Sequence, residues 1–152
     1  MSKLASVAPG LRVLLVTVWV GSLWTIGYLA APTLFATLTD RSLAGSIAGS
    51  LFRVEAWVSV VCGLSLLALL LIDRDFAKRR DCIVLAVLML VCLSVGYFGL
   101  QPMMAALKEA TVANGGVMTE AARARFGMLH GVASVIYLVE SVLGLVLVLR
   151  AR

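Results

Sequence analysis

The stretch Leu64-Ser65-Leu66-Leu67-Ala68-Leu69-Leu70-Leu71-Ile72 decides the fold class. It carries one hydroxyl and no charge. A membrane β-strand alternates polar and apolar side chains every second residue, and this run does not. A helix that is apolar all round needs an apolar medium. The uncharged window extends back to Ala56, so Glu55 and Asp73 bracket it. Three further windows lie between charges: Val13 to Thr39, Cys82 to Leu107, and Phe126 to Leu149, the last interrupted by His130 and Glu140. Crossing a bilayer takes about 20 predominantly apolar residues at about 1.5 Å each. The windows predict transmembrane helices at about 12–36, 52–73, 82–101 and 126–149. The fold class is all-α: a four-helix transmembrane bundle in one domain over 1–152, made of two helical hairpins, about 12–73 and 82–149.

Composition agrees. Of 152 residues, 62% are hydrophobic and 14% charged, against roughly 25% charged in a soluble protein. The mean hydropathy is +1.06. A soluble globule of this size has no room to hide that surface, and disorder needs low hydrophobicity. The net charge of +5 sits mostly beside the hydrophobic windows rather than on a face for phosphates, which argues against nucleic acid. The partner is the lipid bilayer. The first window is too long for a signal peptide, and Pro32 follows the only small-residue site, Ala30-Ala31, so the first helix is expected to be retained.

Orientation follows from basic residues near the spans. Lys3, Arg12, the middle loop Asp73-Arg74-Asp75-Phe76-Ala77-Lys78-Arg79-Arg80-Asp81, Arg150 and Arg152 fall on one side. Arg41, Arg53, Lys108, Arg123 and Arg125 fall on the other. The first set is larger and tightly juxtamembrane, which places both termini in the cytoplasm.

The two outer connections are long. Leu43, Ile47 and Leu51 recur every fourth residue, predicting an amphipathic outer helix over about 40–51, at the interface or extending the second span. Gly45 and Gly49 form a small-xxx-small pair that admits a close helix, and Gly21 offers another small site in the first span. Asn114-Gly115-Gly116 is a turn signal, and Thr119 is a candidate N-cap for the fourth helix. Tyr28…Pro32…Phe52 parallels Tyr97…Pro102…Phe126, as a hairpin repeat would.

An ionisable side chain at bilayer depth costs about 2.5–3.5 kcal/mol and so faces the bundle interior. Glu140 falls near the centre of the fourth span. His130, Ser134, Tyr137 and Ser141 recur at helical spacing, and Glu140 borders the stripe they form. Glu140 is either a proton or cation site, or a buried carboxyl hydrogen-bonded to neighbours such as Tyr137, Ser65 or Ser94. Arg53, Glu55, Arg123 and Arg125 lie at the outer mouths of the second and fourth spans, where a salt-bridge ring is expected in preference to an anion gate. The lone His130, with Met103, Met104, Met118 and Met128 at the same end, has the chemistry of a haem or Cu(I) ligand set, but isolated imidazoles and thioethers more often pack. No cofactor is expected. Cys62, Cys82 and Cys92 match no zinc or redox spacing. No nucleophile–base pair or phosphate loop occurs, so enzymatic chemistry is not expected.

Trp19-Val20-Gly21-Ser22-Leu23-Trp24, Ala31-Pro32-Thr33-Leu34-Phe35, Asp40-Arg41, Ala44 through Phe52, and Phe126-Gly127-Met128-Leu129-His130-Gly131 together resemble a bacterial inner-membrane family, domain of unknown function 4149, related to the transmembrane-protein-205-like proteins. The resemblance covers nearly the whole chain. It implies a four-helix, multi-pass protein of the bacterial inner membrane. The family commonly shows an Asn shortly after the His-containing stretch, where Tyr137 stands here. A more distant likeness runs to copper resistance protein D and the J-type protoporphyrinogen oxidases, whose additional helix histidines and lysine are missing. The function expected is therefore a non-enzymatic component that packs against itself, as a homo-oligomer, or against a larger membrane complex; the alternatives are a small oligomeric proton- or ion-coupled transporter using Glu140 and His130, and a haem or copper redox protein centred on His130.

Overall fold

Asp40 opens the longest helix. Its carboxylate accepts from the backbone N–H groups of Ser42 (2.8 Å) and Leu43 (3.1 Å), as an N-cap should. The helix then runs unbroken from Arg41 to Ile72. The computed structural model describes residues 3–73 and 76–151, with side chains from Val7 onward. Arg74 and Arg152, and the side chain of Lys3, counted above among the basic residues of one side, lie outside that description.

The elements are α1 (Lys3–Trp24), a wide turn (Thr25–Ala30), α2 (Ala31–Thr37), α3 (Arg41–Ile72), α4 (Arg79–Leu93), a second wide turn (Ser94–Leu100), α5 (Gln101–Ala113) and α6 (Glu120–Arg150). No strand occurs among the described residues. Four spans are long and apolar enough to cross a membrane: Val7–Thr37, Arg41–Ile72, Arg79–Ala113 and Glu120–Arg150. The protein is a multi-pass membrane protein.

The segment about 40–51 forms the first turns of α3 and so extends the second span, one of the two placements expected for it, with its Ala44 and Ala48 buried. One boundary differs from the sequence reading. The third span does not end at 101. Proline lacks the N–H that the carbonyl four residues back would accept, and its ring crowds that carbonyl. Each chain half absorbs this by widening one turn before the proline. The Ala31 N–H reaches back five residues to the Ile26 carbonyl, and the Gln101 N–H reaches the Gly96 carbonyl. The helix continues past Pro32 and Pro102 instead of stopping. The true turn lies further on, where Gly115 and Gly116 adopt φ of 79° and 83°, a region open to glycine. Thr119 Oγ1 then caps α6 by accepting from the Ala122 N–H at 3.3 Å.

The spans form a closed ring, each packing on the spans before and after it. The core of the half nearest the termini holds Trp19, Leu23, Leu66, Leu70, Met89 and Leu147, all fully buried. Lipid is as apolar as these side chains, so close packing rather than water exclusion holds them. Gly63 lets the Trp19 ring and Leu90 approach; a Cβ there would lie 2.9 and 2.8 Å from them. Gly144 does the same for Val20 and Met89.

Polar side chains fasten this terminal end. Arg12, 6% exposed, donates from Nε to the Ala151 carbonyl at 2.9 Å and pairs through Nη1 with Asp73 at 3.0 Å. Its guanidinium lies 3.6 Å from the centre of the Phe76 ring. Arg79 Nε donates to the Leu70 carbonyl at 2.5 Å, and Arg150 pairs with Asp81. The opposite end, which carries the hairpin tips, is held differently. Beyond the wide turns, α2 packs on α3 and α5 packs on α6, and the two hairpins part.

Candidate functional site

The ion pairs at the terminal end supply a ruler. Twenty helical residues span about 30 Å, the thickness of the hydrocarbon layer. Counted from Arg12, Asp73, Asp81 and Arg150, that distance ends at Pro32, Arg53, Gln101 and His130. On this scale Glu140 lies roughly 15 Å deep, at the middle of the layer, and Glu55 roughly 27 Å from the terminal end, just beneath the tip-side boundary.

Both carboxyls are buried, each 2% exposed. Ser59 Oγ donates to Glu55 Oε1 at 2.5 Å. Glu140 Oε1 has no partner, which among buried side-chain atoms is true also of Trp19 Nε1. By the same count Tyr137 lies between the two carboxyls in depth, roughly 20 Å from the terminal end. Tyr137 is the hub between them. Its ring meets Phe52 edge-on at 5.5 Å and Tyr28 at 6.1 Å between centroids, so three spans converge on it. Its hydroxyl donates to the Leu23 carbonyl at 2.5 Å, immediately before the first wide turn. Ser141 locks the same junction. It accepts from the Tyr28 hydroxyl at 2.9 Å and donates to the Tyr137 carbonyl at 2.8 Å, while its own carbonyl accepts from Trp24 Nε1 at 3.3 Å.

The stripe of His130, Ser134, Tyr137, Glu140 and Ser141 therefore divides. Glu140 and Ser141 are buried and Tyr137 half-buried, but Ser134 and His130 are exposed. The seam is regular; what changes is its partner, because past the wide turn the first span stays on α3 and leaves α6. Ser134 donates to the His130 carbonyl at 2.8 Å, and the His130 ring stacks on Phe126, 6.1 Å between centroids and 5° from parallel.

The expected salt-bridge ring at the tip side is not what the structure places there. Arg53, Arg123 and Arg125 are exposed, and no ion pair among the described residues involves them or Glu55. The reason is helix phase. Glu55 lies in line with Ala48, Ser59, Cys62 and Leu66, all buried, at spacings of seven, four, three and four. Arg53, two residues away, points to the other side. That alignment was the available sequence signal for a second intramembrane carboxyl. The ion pairs stand at the terminal end instead.

Gly21 and Gly49 have open space where a Cβ would go, and Gly45 only side-chain tips at 3.8 Å, so none of the three marks a close helix crossing within the chain. Gly27, Gly63 and Gly144 do. Met104 is buried and Met118 half-buried, whereas Met103 and Met128 are exposed. No three His, Cys, Asp or Glu side chains converge among the described residues. Cys62, Cys82 and Cys92 are free thiols.

A family model described as domain of unknown function (DUF4149) matches residues 14–113. The chain belongs to that family. The matched stretch holds both wide turns and Glu55; α6, with Tyr137 and Glu140, lies beyond it. No curated protein and no solved structure matches the chain.

Proposed function

We propose that this DUF4149 protein moves protons within the membrane, with Glu140 as the titrating group and Glu55 as its station toward the hairpin tips. The observation that carries the reading is the Glu140 carboxyl, buried at the middle of the hydrocarbon layer with one oxygen unpartnered. Such a group is expensive to keep for packing alone. The second carboxyl lies roughly 12 Å nearer the tips by the same count and supplies a second station along the path. Access runs from the tip side, where the hairpins part. The packed core and the Arg12 contacts close the terminal side in this conformation, so passage to that side requires them to open. With four spans the working unit is a homo-oligomer. The basic residues beside the terminal end, Arg12, Lys78, Arg79, Arg80 and Arg150, support a bacterial inner-membrane protein with both termini cytoplasmic.

The test is proton flux into liposomes containing a trapped pH dye, driven by a potassium diffusion potential. Glu140→Gln, which keeps shape, abolishes the flux; Glu55→Gln slows it. Wild-type liposomes no leakier than protein-free ones, or an unimpaired Glu140→Gln variant, would refute the proposal.

One observation favours a second reading, a non-enzymatic component of a larger complex. Leu43, Val112 and Val117 are 49%, 76% and 73% exposed, and all lie past the level reached by the ruler, where lipid tails do not cover them. A crosslinker at position 112 that captures only a second copy of the chain counts against a heterologous partner.

A further inference from the structure

One face of α3 carries a shallow groove lined by Val54, Trp57, Val58, Val61 and Cys62. Every lining side chain is apolar or aromatic. Trp57 is 57% exposed and meets Phe98 of the third span edge-on, 6.3 Å between centroids. The groove follows one helix, so its depth is countable. From Val54 to Cys62 it descends eight residues, roughly 12 Å. Arg53 stands at the tip-side boundary of the hydrocarbon layer, and Cys62 lies just short of the middle. The groove is one leaflet deep.

Its mouth is charged. Arg53 is exposed, one helical turn above Trp57 on the same face. Among the described residues it takes part in no ion pair. Directly below, Trp57 lies four residues, roughly 6 Å, inside that boundary, its side chain leaning toward the helix N-terminus and so toward the interface that tryptophan favours. Cation, indole and apolar floor thus succeed one another from headgroup level into the acyl-chain region. A soluble anion would leave the floor bare, and an uncharged lipid would leave the guanidinium without a counter-ion.

We infer that this groove is a binding site for a net-anionic glycerophospholipid of the tip-side leaflet, its phosphodiester on Arg53 and one acyl chain lying along Trp57, Val58 and Val61 down to Cys62. The inference is independent of the proton reading, because it uses neither Glu55 nor Glu140.

The test reconstitutes the full chain in phosphatidylcholine vesicles doped with phosphatidylglycerol or phosphatidylcholine brominated at mid-chain, and reads tryptophan quenching. The Trp57→Phe variant identifies the Trp57 component by difference. That component is expected to quench half-maximally at about a fivefold lower mole fraction of brominated phosphatidylglycerol than of brominated phosphatidylcholine, the ratio that about 1 kcal/mol per basic side chain near an anionic headgroup gives. Arg53→Gln brings the ratio to about one, and Arg53→Lys, which keeps the charge, retains most of it. Equal quenching by the two lipids in the wild-type protein overturns the inference. So does a preference that survives in Arg53→Gln. Protection of Trp57 from both lipids also overturns it, since a second copy or another protein would then be covering the groove.

Discussion

Arg12→Ala tests how far one guanidinium holds the terminal end together. The side chain joins the first span to the end of the second through Asp73, to the loop through Phe76, and to the end of the fourth through the Ala151 carbonyl. Removing one partner of a buried ion pair costs about 3–5 kcal/mol, because the other charge is left behind. Asp73 is 21% exposed and regains some water, which favours the lower part of that range. The lost donor to Ala151 and the lost contact with Phe76 are each worth about 1–2 kcal/mol alone. They belong to the same group as the ion pair, so the three do not add. The expected destabilisation is about 3–4 kcal/mol. At about 2–4 °C per kcal/mol for a chain of this length, the melting temperature in mild detergent falls by roughly 6–16 °C. Arg12→Lys keeps the charge but reaches one acceptor at a time, so it recovers about half of that. An Arg12→Ala protein within about 1 kcal/mol of wild type, or full recovery by lysine, would show that the contacts are incidental and refute the reasoning.

Two glycines make a sign test. Gly63→Ala puts a methyl under 3.0 Å from Leu90 and the Trp19 ring, and overpacking of this kind costs about 1–3 kcal/mol. Gly21→Ala meets nothing within 4 Å and is expected to stabilise by about 0.5–1 kcal/mol through helix propensity; the two melting shifts should have opposite signs. Tyr137→Phe keeps the ring against Phe52 and Tyr28 but loses the donor to Leu23. Hydrogen exchange across Thr25–Ala30 should accelerate in that variant while α3 exchange is unchanged, and equal protection in both proteins would show that the hydroxyl does not pin the turn.

The spans were legible because charge-free runs of helical length have one physical solution in lipid. Thr119 and Gly115-Gly116 were legible for the same local reason, since capping and left-handed backbone depend on residues within one turn. Other features were hidden by phase and topology. Glu55 sits two residues from Arg53 and reads as an interfacial charge until its helical phase is aligned with Ser59 and Cys62. The pairing of Arg12 with Asp73 and Ala151 joins residues at opposite ends of the chain and depends on the order of the spans. His130 and Ser134 belong to the same seam as Tyr137 and Ser141, and periodicity alone cannot say where a facing helix turns away.

That departure has a local cause that appears in both halves. Gly27-Tyr28 precedes Pro32, and Gly96-Tyr97 precedes Pro102. In each case the proline forces one turn to take an extra residue. An α-helix advances about 100° per residue, so a helix after a one-residue insertion presents a different side to its neighbours. Below each wide turn the first helix of a hairpin contacts both flanking spans. Above it, α2 and α5 pack chiefly on their own hairpin partners, with Lys108 of α5 also beside Gly45 of α3. The same device used twice yields a bundle joined at one end and divided at the other. The buried carboxyls follow from that asymmetry: Glu140 lies where the ring is still closed, and Glu55 lies where it has begun to part. The packing between the hairpins is sparser above the wide turns than below them, and the proton path proposed above would enter from the tip side and cross the membrane by way of Glu140.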